Sequence, residues 1–292
     1  MAVASSLKVL TSDKSKHKLN GSTKGKQLSA WEIVKISRHP QRPVFQDYLH
    51  SVFTDFVELH GDRYYGDDKA IVGGFATIGG IKVMIIGHNK GKNTEQHVER
   101  NFGMAKPEGY RKALRLMKLA QRFNLPVVTI IDTPGAFPGL EAEERGQAES
   151  IAKNITEMAA LEVPVISLVI GEGGSGGALG IGVGDKIIML SNAIYSVISP
   201  EGCASILWRD AKFASDAAQA LNLTAERLLH HEVIDEIIKE PGEGAHTDYE
   251  KIADAVKKSL VKNLKTLSAI PVDILLDKRF QKYSAMGKFA GF

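Results

Sequence analysis

The chain has 292 residues, 43% hydrophobic and 24% charged, with a formal net charge of +3. That length is ample for one large domain with a substantial core, and so small a charge gives no argument for a nucleic-acid partner. The single cysteine, Cys203, excludes an intrachain disulfide and a cysteine-based zinc site and fits a reducing, cytoplasmic setting. No apolar run is long enough to predict a membrane span.

Residues 1–28 carry six lysines and one acid, Asp13, with little apolar periodicity, which predicts a flexible extension. A plastid transit segment is the alternative, which would place the protein in the stroma, although such segments carry more arginine. Order is expected from Ser29-Ala-Trp-Glu, where Ser29 caps a short helix ending before Pro40. A second helix is predicted over Val44–His60. Strands follow at Ala70–Ile78 and Ile81–Gly87, with Gly79-Gly80 as the hairpin turn. The next segment, Gly87-His-Asn-Lys-Gly-Lys-Asn93, imitates a phosphate loop. Its glycines are one residue too close, and Asn93 stands where a magnesium-holding Ser or Thr is needed. His88 and His97, beside lysines, are expected in a solvated loop rather than as a metal pair.

Pro107 opens a predicted helix through Asn124, with Ala113, Leu116, Met117 and Ala120 on one face. Val127–Ile131 is a short buried strand that runs into Asp132-Thr-Pro-Gly-Ala-Phe-Pro-Gly139. A helix over Ala142–Leu161 and a second buried strand, Val163–Ile170, come next. Further on are a strand near Lys186–Leu190, a strand and then a helix from about Pro200 within Tyr195–Trp208, and a long helix marked by Tyr249, Ile252, Ala253, Val256 and Leu260. The order helix, buried strand, glycine-bearing turn, helix occurs twice. That alternation argues for α/β architecture with the working turns at the strand C-termini. The expected divisions are an extension over 1–28, one domain over 29–283 and a tail over 284–292.

The densest feature follows the second buried strand. Eight of the 28 glycines fall in the fourteen residues from Gly171 to Gly184. Bare backbone N–H groups at a strand-to-helix turn suit an anion or a developing oxyanion; tight helix–sheet packing is the alternative. Gly171-x-Gly173-x-x-Gly176 imitates a dinucleotide loop, but the next strand runs into Ser191 and Asn192 with no acid for a ribose. Gly173-Gly-Ser-Gly-Gly177 imitates a nucleophile elbow at Ser175, with His230, His231 and His246 unremarkably placed as partners.

Seven motifs now stand together: Arg38-His-Pro-Gln-Arg-Pro43, Asn101-Phe-Gly-Met104, the segment Pro107–Leu116, Asp132–Gly139, Glu143-Glu-Arg-Gly-Gln147, the glycine cluster, and the segment Ser199–Trp208. In this order they closely resemble the α subunits of bacterial and plastid acetyl-CoA carboxylase carboxyltransferase, from about Leu28 to Tyr283. The resemblance implies a crotonase-like (ClpP/crotonase) fold of repeated ββα units, as a single domain with an N-terminal extension. It also implies the reaction, transfer of a carboxyl group from carboxybiotin on a biotin carboxyl carrier protein to acetyl-CoA. The product is malonyl-CoA for fatty acid synthesis. A β subunit in an α2β2 assembly and a biotin carboxylase are the implied partners, and no metal is implied in this chain. Family members usually carry a longer helical N-terminal segment where this chain has its lysine-rich stretch.

Such a transfer needs no protein nucleophile, because the charge that builds on the ureido oxygen is met by preorganised N–H donors. The amides of Gly176 and Gly177 are the expected hole, with Gly135 and Ala136 as a second pair by analogy with crotonase-like enzymes. Gly173, Gly174 and Ser175 are expected to line the substrate. Lys90, Lys92, Arg111 and Arg115 are candidates for coenzyme A phosphates or the carrier protein, with solvated surface as the plainer expectation. The acyl-CoA side is expected on the β subunit.

Overall fold

The computed structural model describes residues 28–287; the expectations for residues 1–27 and 288–292 lie outside the described residues. Ser29 caps as its sequence predicts. Its hydroxyl accepts the Glu32 N–H at 3.2 Å, while the Glu32 carboxylate accepts the Ser29 N–H at 2.7 Å, which opens α1 (Ala30–Ser37). α2 (Phe45–Val52) is much shorter than the predicted helix over Val44–His60, because Thr54–Glu58 forms an edge strand, β1. Thr54, Phe56 and Val57 are strand-favouring residues that gain a ladder against β2 (Ile71–Ile78). Here cross-strand pairing outweighs helical periodicity.

β2 and β3 (Ile81–His88) pair antiparallel across Gly79-Gly80, whose φ values of +55° and +79° suit a type I′ turn. Beyond β3 lie α3 (Thr94–Glu99) and α4 (Pro107–Arg122), the latter with Pro107 at its start and its apolar face buried. From β3 onward the sheet is parallel. The order is β1-β2-β3-β4-β5-β6-β8, with β4 (Val127–Thr133), β5 (Val165–Gly174), β6 (Lys186–Leu190) and β8 (Glu236–Ile238). A short β7 (Ile194–Ser196) pairs in parallel with the far end of β5. Every residue of β4 and the first seven of β5 are buried, as a parallel strand covered on both faces requires.

The helix predicted over Ala142–Leu161 is two: α5 (Leu140–Glu144) and α6 (Gln147–Ala159). Gly146 between them takes a φ of +82°, which no continuous helix accommodates. After β5 come α7 (Ser175–Leu179), α8 (Pro200–Trp208), α9 (Ala214–Ala220), α10 (Ala225–His230) and α11 (Tyr249–Ser268). A last helix, α12 (Val272–Ser284), has no clear apolar periodicity and was not expected. It is anchored by Arg279, which is 1% exposed. The guanidinium binds Asp185 at 2.7 and 2.8 Å and donates to the carbonyls of Met158, Leu161 and Val163.

One consequence of the sheet order matters most for function. β4 and β5 are neighbours, in a register that sets Thr133 opposite Gly173, so the turns that follow them emerge side by side.

Candidate active site

Both buried strands run further than the sequence suggests. β5 continues to Gly174, so Gly171, Gly173 and Gly174 are strand residues rather than parts of an open loop. A Cβ on Gly174 would lie 2.1 Å from the Pro134 carbonyl oxygen, so the absent side chain admits the first turn against the end of β5. Gly173 is buried between Thr133 and Tyr195 on the flanking strands. Both glycines are thus packed closely against the neighbouring strands and turn.

Gly176 and Gly177 lie in the first turn of α7, where no helical carbonyl can accept their N–H groups. α7 has only five residues, so a summed helix dipole adds little to these N–H groups. A Cβ on Gly177 would come within 2.3 Å of the Gly135 carbonyl carbon and 2.5 Å of the Ala136 nitrogen. The two predicted pairs of donors are therefore one cluster, with the second turn seated directly on the first. Within the first turn, Gly135 donates its N–H to the Thr133 hydroxyl at 3.2 Å, and that hydroxyl donates to the Gly135 carbonyl at 2.7 Å. Ala136 N–H has no acceptor among the described residues, which makes it the more available donor of its pair. Phe137 N–H and the Gln147 side-chain amide both donate to the Ala105 carbonyl, holding the rest of the turn to α6.

Beneath the turns lies a polar layer. Lys90 binds the buried Asp132 carboxylate at 2.8 Å, and that carboxylate also accepts the Glu172 N–H at 3.0 Å. Arg38 reaches Glu172 at 2.7 Å and Glu201 at 2.6 Å, so the end of β5 is tied to α1's C-terminus and to α8. His88 is wholly buried, which corrects the expectation of a solvated loop. Burial lowers its pKa to about 4, only partly offset by the Asp132 charge and the Gly177 backbone, so the imidazole is neutral. The cations expected on plain surface are also engaged. Arg111 binds Asp62 at 2.7 Å, Arg115 donates to the Gly61 carbonyl at 2.9 Å, and Lys92, still exposed, pairs with Asp47. Asp132 stood within a quoted motif, but its pairing with Lys90 across 42 positions had no local signal.

The turns stand between two clefts of about 330 Å³ each. One, beside Ser175 and Gly176, is apolar, with Leu179, Tyr195, Val197 and Leu228 in its walls. The other is charged, walled by Arg38, Lys90, Lys92 and Glu172. Ser175 is exposed at a φ of +55°, a conformation that nucleophile elbows share. Among the described residues, however, no hydrogen bond joins its hydroxyl to a histidine or an acid. The His230 and His231 rings meet edge to face at 5.2 Å, and His246 is stacked on His39 at 3.8 Å.

A family model described as acetyl co-enzyme A carboxylase carboxyltransferase-like matches residues 3–287. The chain belongs to that family. The match includes most of the lysine-rich segment that composition alone set apart. Among carboxyltransferase relatives, the acetyl-coenzyme A carboxylase carboxyl transferase subunit alpha of Geobacter metallireducens is 58% identical over 263 residues, 90% of this chain and 83% of that one. Its counterpart in Methylococcus capsulatus is 56% identical over 262 residues, again 90% of this chain and 82% of that one. Solved structures share the architecture at lower identity. A transcarboxylase 12S with methylmalonyl-coenzyme A bound aligns at a TM-score of 0.64 and 18% identity, over 85% of this chain and 47% of its own. A Pseudomonas malonate decarboxylase hetero-dimer aligns at 0.59 and 16%, over 75% of this chain and 89% of its own. The fold is thus the crotonase-like one of the carboxyltransferases.

Proposed function

We propose that this chain is the α half of an acetyl-CoA carboxylase carboxyltransferase and forms the biotin side of its active site. The observation that supports the reading is the contact of two glycine-bearing turns, which brings Gly177 against the Ala136 backbone nitrogen with Gly176 beside it. When bound, carboxybiotin supplies a carboxylate on a ureido nitrogen, and cleavage of that N–C bond leaves negative charge on the ureido oxygen. The chain's part is to present N–H donors to that oxygen before the charge develops. Losing one such donor costs about 2.7–4 kcal/mol, or roughly a hundred- to a thousandfold in rate. The residues fit such a guest. The donors are neutral and fixed, and an added Cβ at Gly176 meets nothing nearer than Ile151 at 3.8 Å, so the surface above is open. The adjoining apolar cleft suits an uncharged ring better than a phosphate.

On this reading acetyl-CoA approaches from a β subunit in an α2β2 assembly, and carboxybiotin arrives on a carrier protein charged by a biotin carboxylase. The chain works in the cytoplasm. Malonyl-CoA-dependent carboxylation of free biotin, assayed with and without a β chain, tests the proposal; a reconstituted pair without activity refutes it. The strained Ser175 favours one other reading, a serine hydrolase. A fluorophosphonate probe that leaves Ser175 unlabelled disposes of it.

A further inference from the structure

Close to the glycine amides lies a buried side chain with no evident task. His88 ends β3 directly beneath the two turns, fully buried, and neither of its ring nitrogens has a hydrogen-bond partner among the described residues. Leaving a buried polar group unsatisfied costs about 1–3 kcal/mol, which apolar side chains of the same shape avoid. Two groups that act on its charge belong to the two halves of the site: the Asp132 carboxylate at the base of the first turn, and the Gly177 backbone in the second.

The Gly177 carbonyl is unusual in its own right. Ile181, whose N–H a continuing helix would aim at Gly177, donates to Ala178 instead. That leaves the Gly177 oxygen to the Tyr110 hydroxyl, 3.3 Å away and itself buried on α4, and to the face where His88 lies. The peptide on the other side of Gly177 carries one of the proposed donor N–H groups. A carbonyl free to rotate would let that donor drift from its target.

We propose that His88 is a positioning residue, its neutral imidazole holding the Gly177 carbonyl from below and so fixing the Gly176 and Gly177 amides toward the reacting oxygen. The inference rests on the reading of those amides as an oxyanion site. In the resting chain neither ring nitrogen is hydrogen-bonded among the described residues; the imidazole N–H turned toward the carbonyl closes on it when the donors above are engaged, as catalytic hydrogen bonds in unliganded sites commonly tighten. Tyr110 is the second support of the same oxygen.

The test uses the complex reconstituted with a β chain and the malonyl-CoA-dependent biotin assay. His88→Leu keeps the bulk and removes the donor; His88→Asn and His88→Gln return an N–H near one ring nitrogen or the other. The expected result is a kcat lowered ten- to a hundredfold in His88→Leu, with KM for malonyl-CoA within twofold, and recovery to within about fivefold in Asn or Gln. A merely structural histidine predicts no such rescue and no separation of kcat from KM. Wild-type kcat in His88→Leu, or failure of both amide variants to exceed it, overturns the proposal. If His88→Leu does not assemble, Tyr110→Phe, which deletes a single hydroxyl, decides. A severalfold loss of kcat at constant KM supports the brace, and unchanged kcat overturns it. Gly177→Val separates this inference from the reading beneath it. An assembled, fully active Gly177→Val complex removes the oxyanion site itself, whereas an inactive one beside a fully active His88→Leu removes only the brace.

Discussion

Gly177 and Ala136 are separated by 41 positions in the chain, yet a single methyl on Gly177 would lie 2.5 Å from the Ala136 nitrogen. This contact joins the turn after β4 to the turn after β5, and the parallel register of those strands produces it. Gly176, one residue earlier, has no such neighbour.

The two glycines are therefore expected to respond oppositely to the same substitution. Gly177→Ala must push backbone against backbone, so the turn shifts. The complex is expected to lose at least a hundredfold in kcat, with a stability cost of about 1–3 kcal/mol. Gly176→Ala introduces only an ordinary van der Waals contact in a helical turn, and its melting temperature is expected to be equal to or above that of the parent. Thermal melts and kinetics on the reconstituted complex measure both; equal destabilisation by the two variants contradicts the packing argument.

His88 also leaves a signature in stability. Its pKa is about 4 in the fold against 6.5 in a free chain, because burial disfavours the imidazolium. Between those values the unfolded chain binds the extra proton, so the slope of stability against pH is positive. Stability is constant with respect to this group above pH 6.5 and falls as the pH drops from 6.5 to 4, by about 3 kcal/mol in all. Denaturant unfolding of the parent and of His88→Asn at several pH values isolates the effect as a difference. Parallel curves between pH 4 and 6.5 contradict it.

What was legible in the sequence was what local pattern encodes. Ser29 followed by Glu32 specifies a cap, Gly79-Gly80 a hairpin, Pro107 a helix start, and the runs at Val127 and Val163 two buried strands. The length of those strands was less legible. Glycine carries no β signal, so the continuation of β5 to Gly174 became visible only through its pairing with Thr133 and with β7. β1 was hidden for the opposite reason, a helix-like period overridden by an edge ladder. At the site, the glycines announced bare backbone. His88 did not announce itself, since one polar residue ending an apolar strand is equally consistent with exposure. Its burial follows from the sheet order that lays β4 beside β3.

Arg42 and Glu240 give a further pH test, at the acid end. Both side chains are almost wholly buried, at 2% and 0% exposed, and meet in a two-pronged pair at 2.6 and 2.8 Å. Burial alone would raise the Glu240 pKa, but the hydrogen bonds and charge of Arg42, with the Asn192 and Ala245 N–H groups, hold it below the ordinary carboxylate value. A depressed carboxylate contributes stability that is fully present above its unfolded pKa, about 4.3, and lost as the pH falls through the folded value. Glu240→Gln is thus expected to be destabilised by about 3–5 kcal/mol at pH 7, since it strands a buried guanidinium, and to show a flatter loss than the parent below pH 4. Urea titrations at pH 7, 4 and 3 read both effects.

Arg279 tests how the C-terminal helix is held. α12 packs weakly by its own apolar residues, with Leu275 alone among its hydrophobic side chains counted as buried core. Its attachment runs instead through the Arg279 guanidinium, which serves Asp185 and the carbonyls of Met158, Leu161 and Val163 at once. Those three carbonyls belong to the end of α6 and the loop that enters β5. Arg279 therefore anchors the helix to the strand whose far end carries the glycine turn. Arg279→Met leaves Asp185 buried without its partner and is expected to cost about 3–5 kcal/mol, lowering the melting temperature by on the order of 10 °C. Arg279→Lys is expected to recover little of this. An ammonium has three donors and no planar fork, while this site asks for a bidentate grip on a carboxylate and three more bonds around it. The loss should begin locally. Amide exchange of α12 is expected to rise by orders of magnitude in Arg279→Met at temperatures where β4 and β5 remain protected. Uniform exchange across helix and sheet, or a lysine variant as stable as the parent, contradicts the anchoring role.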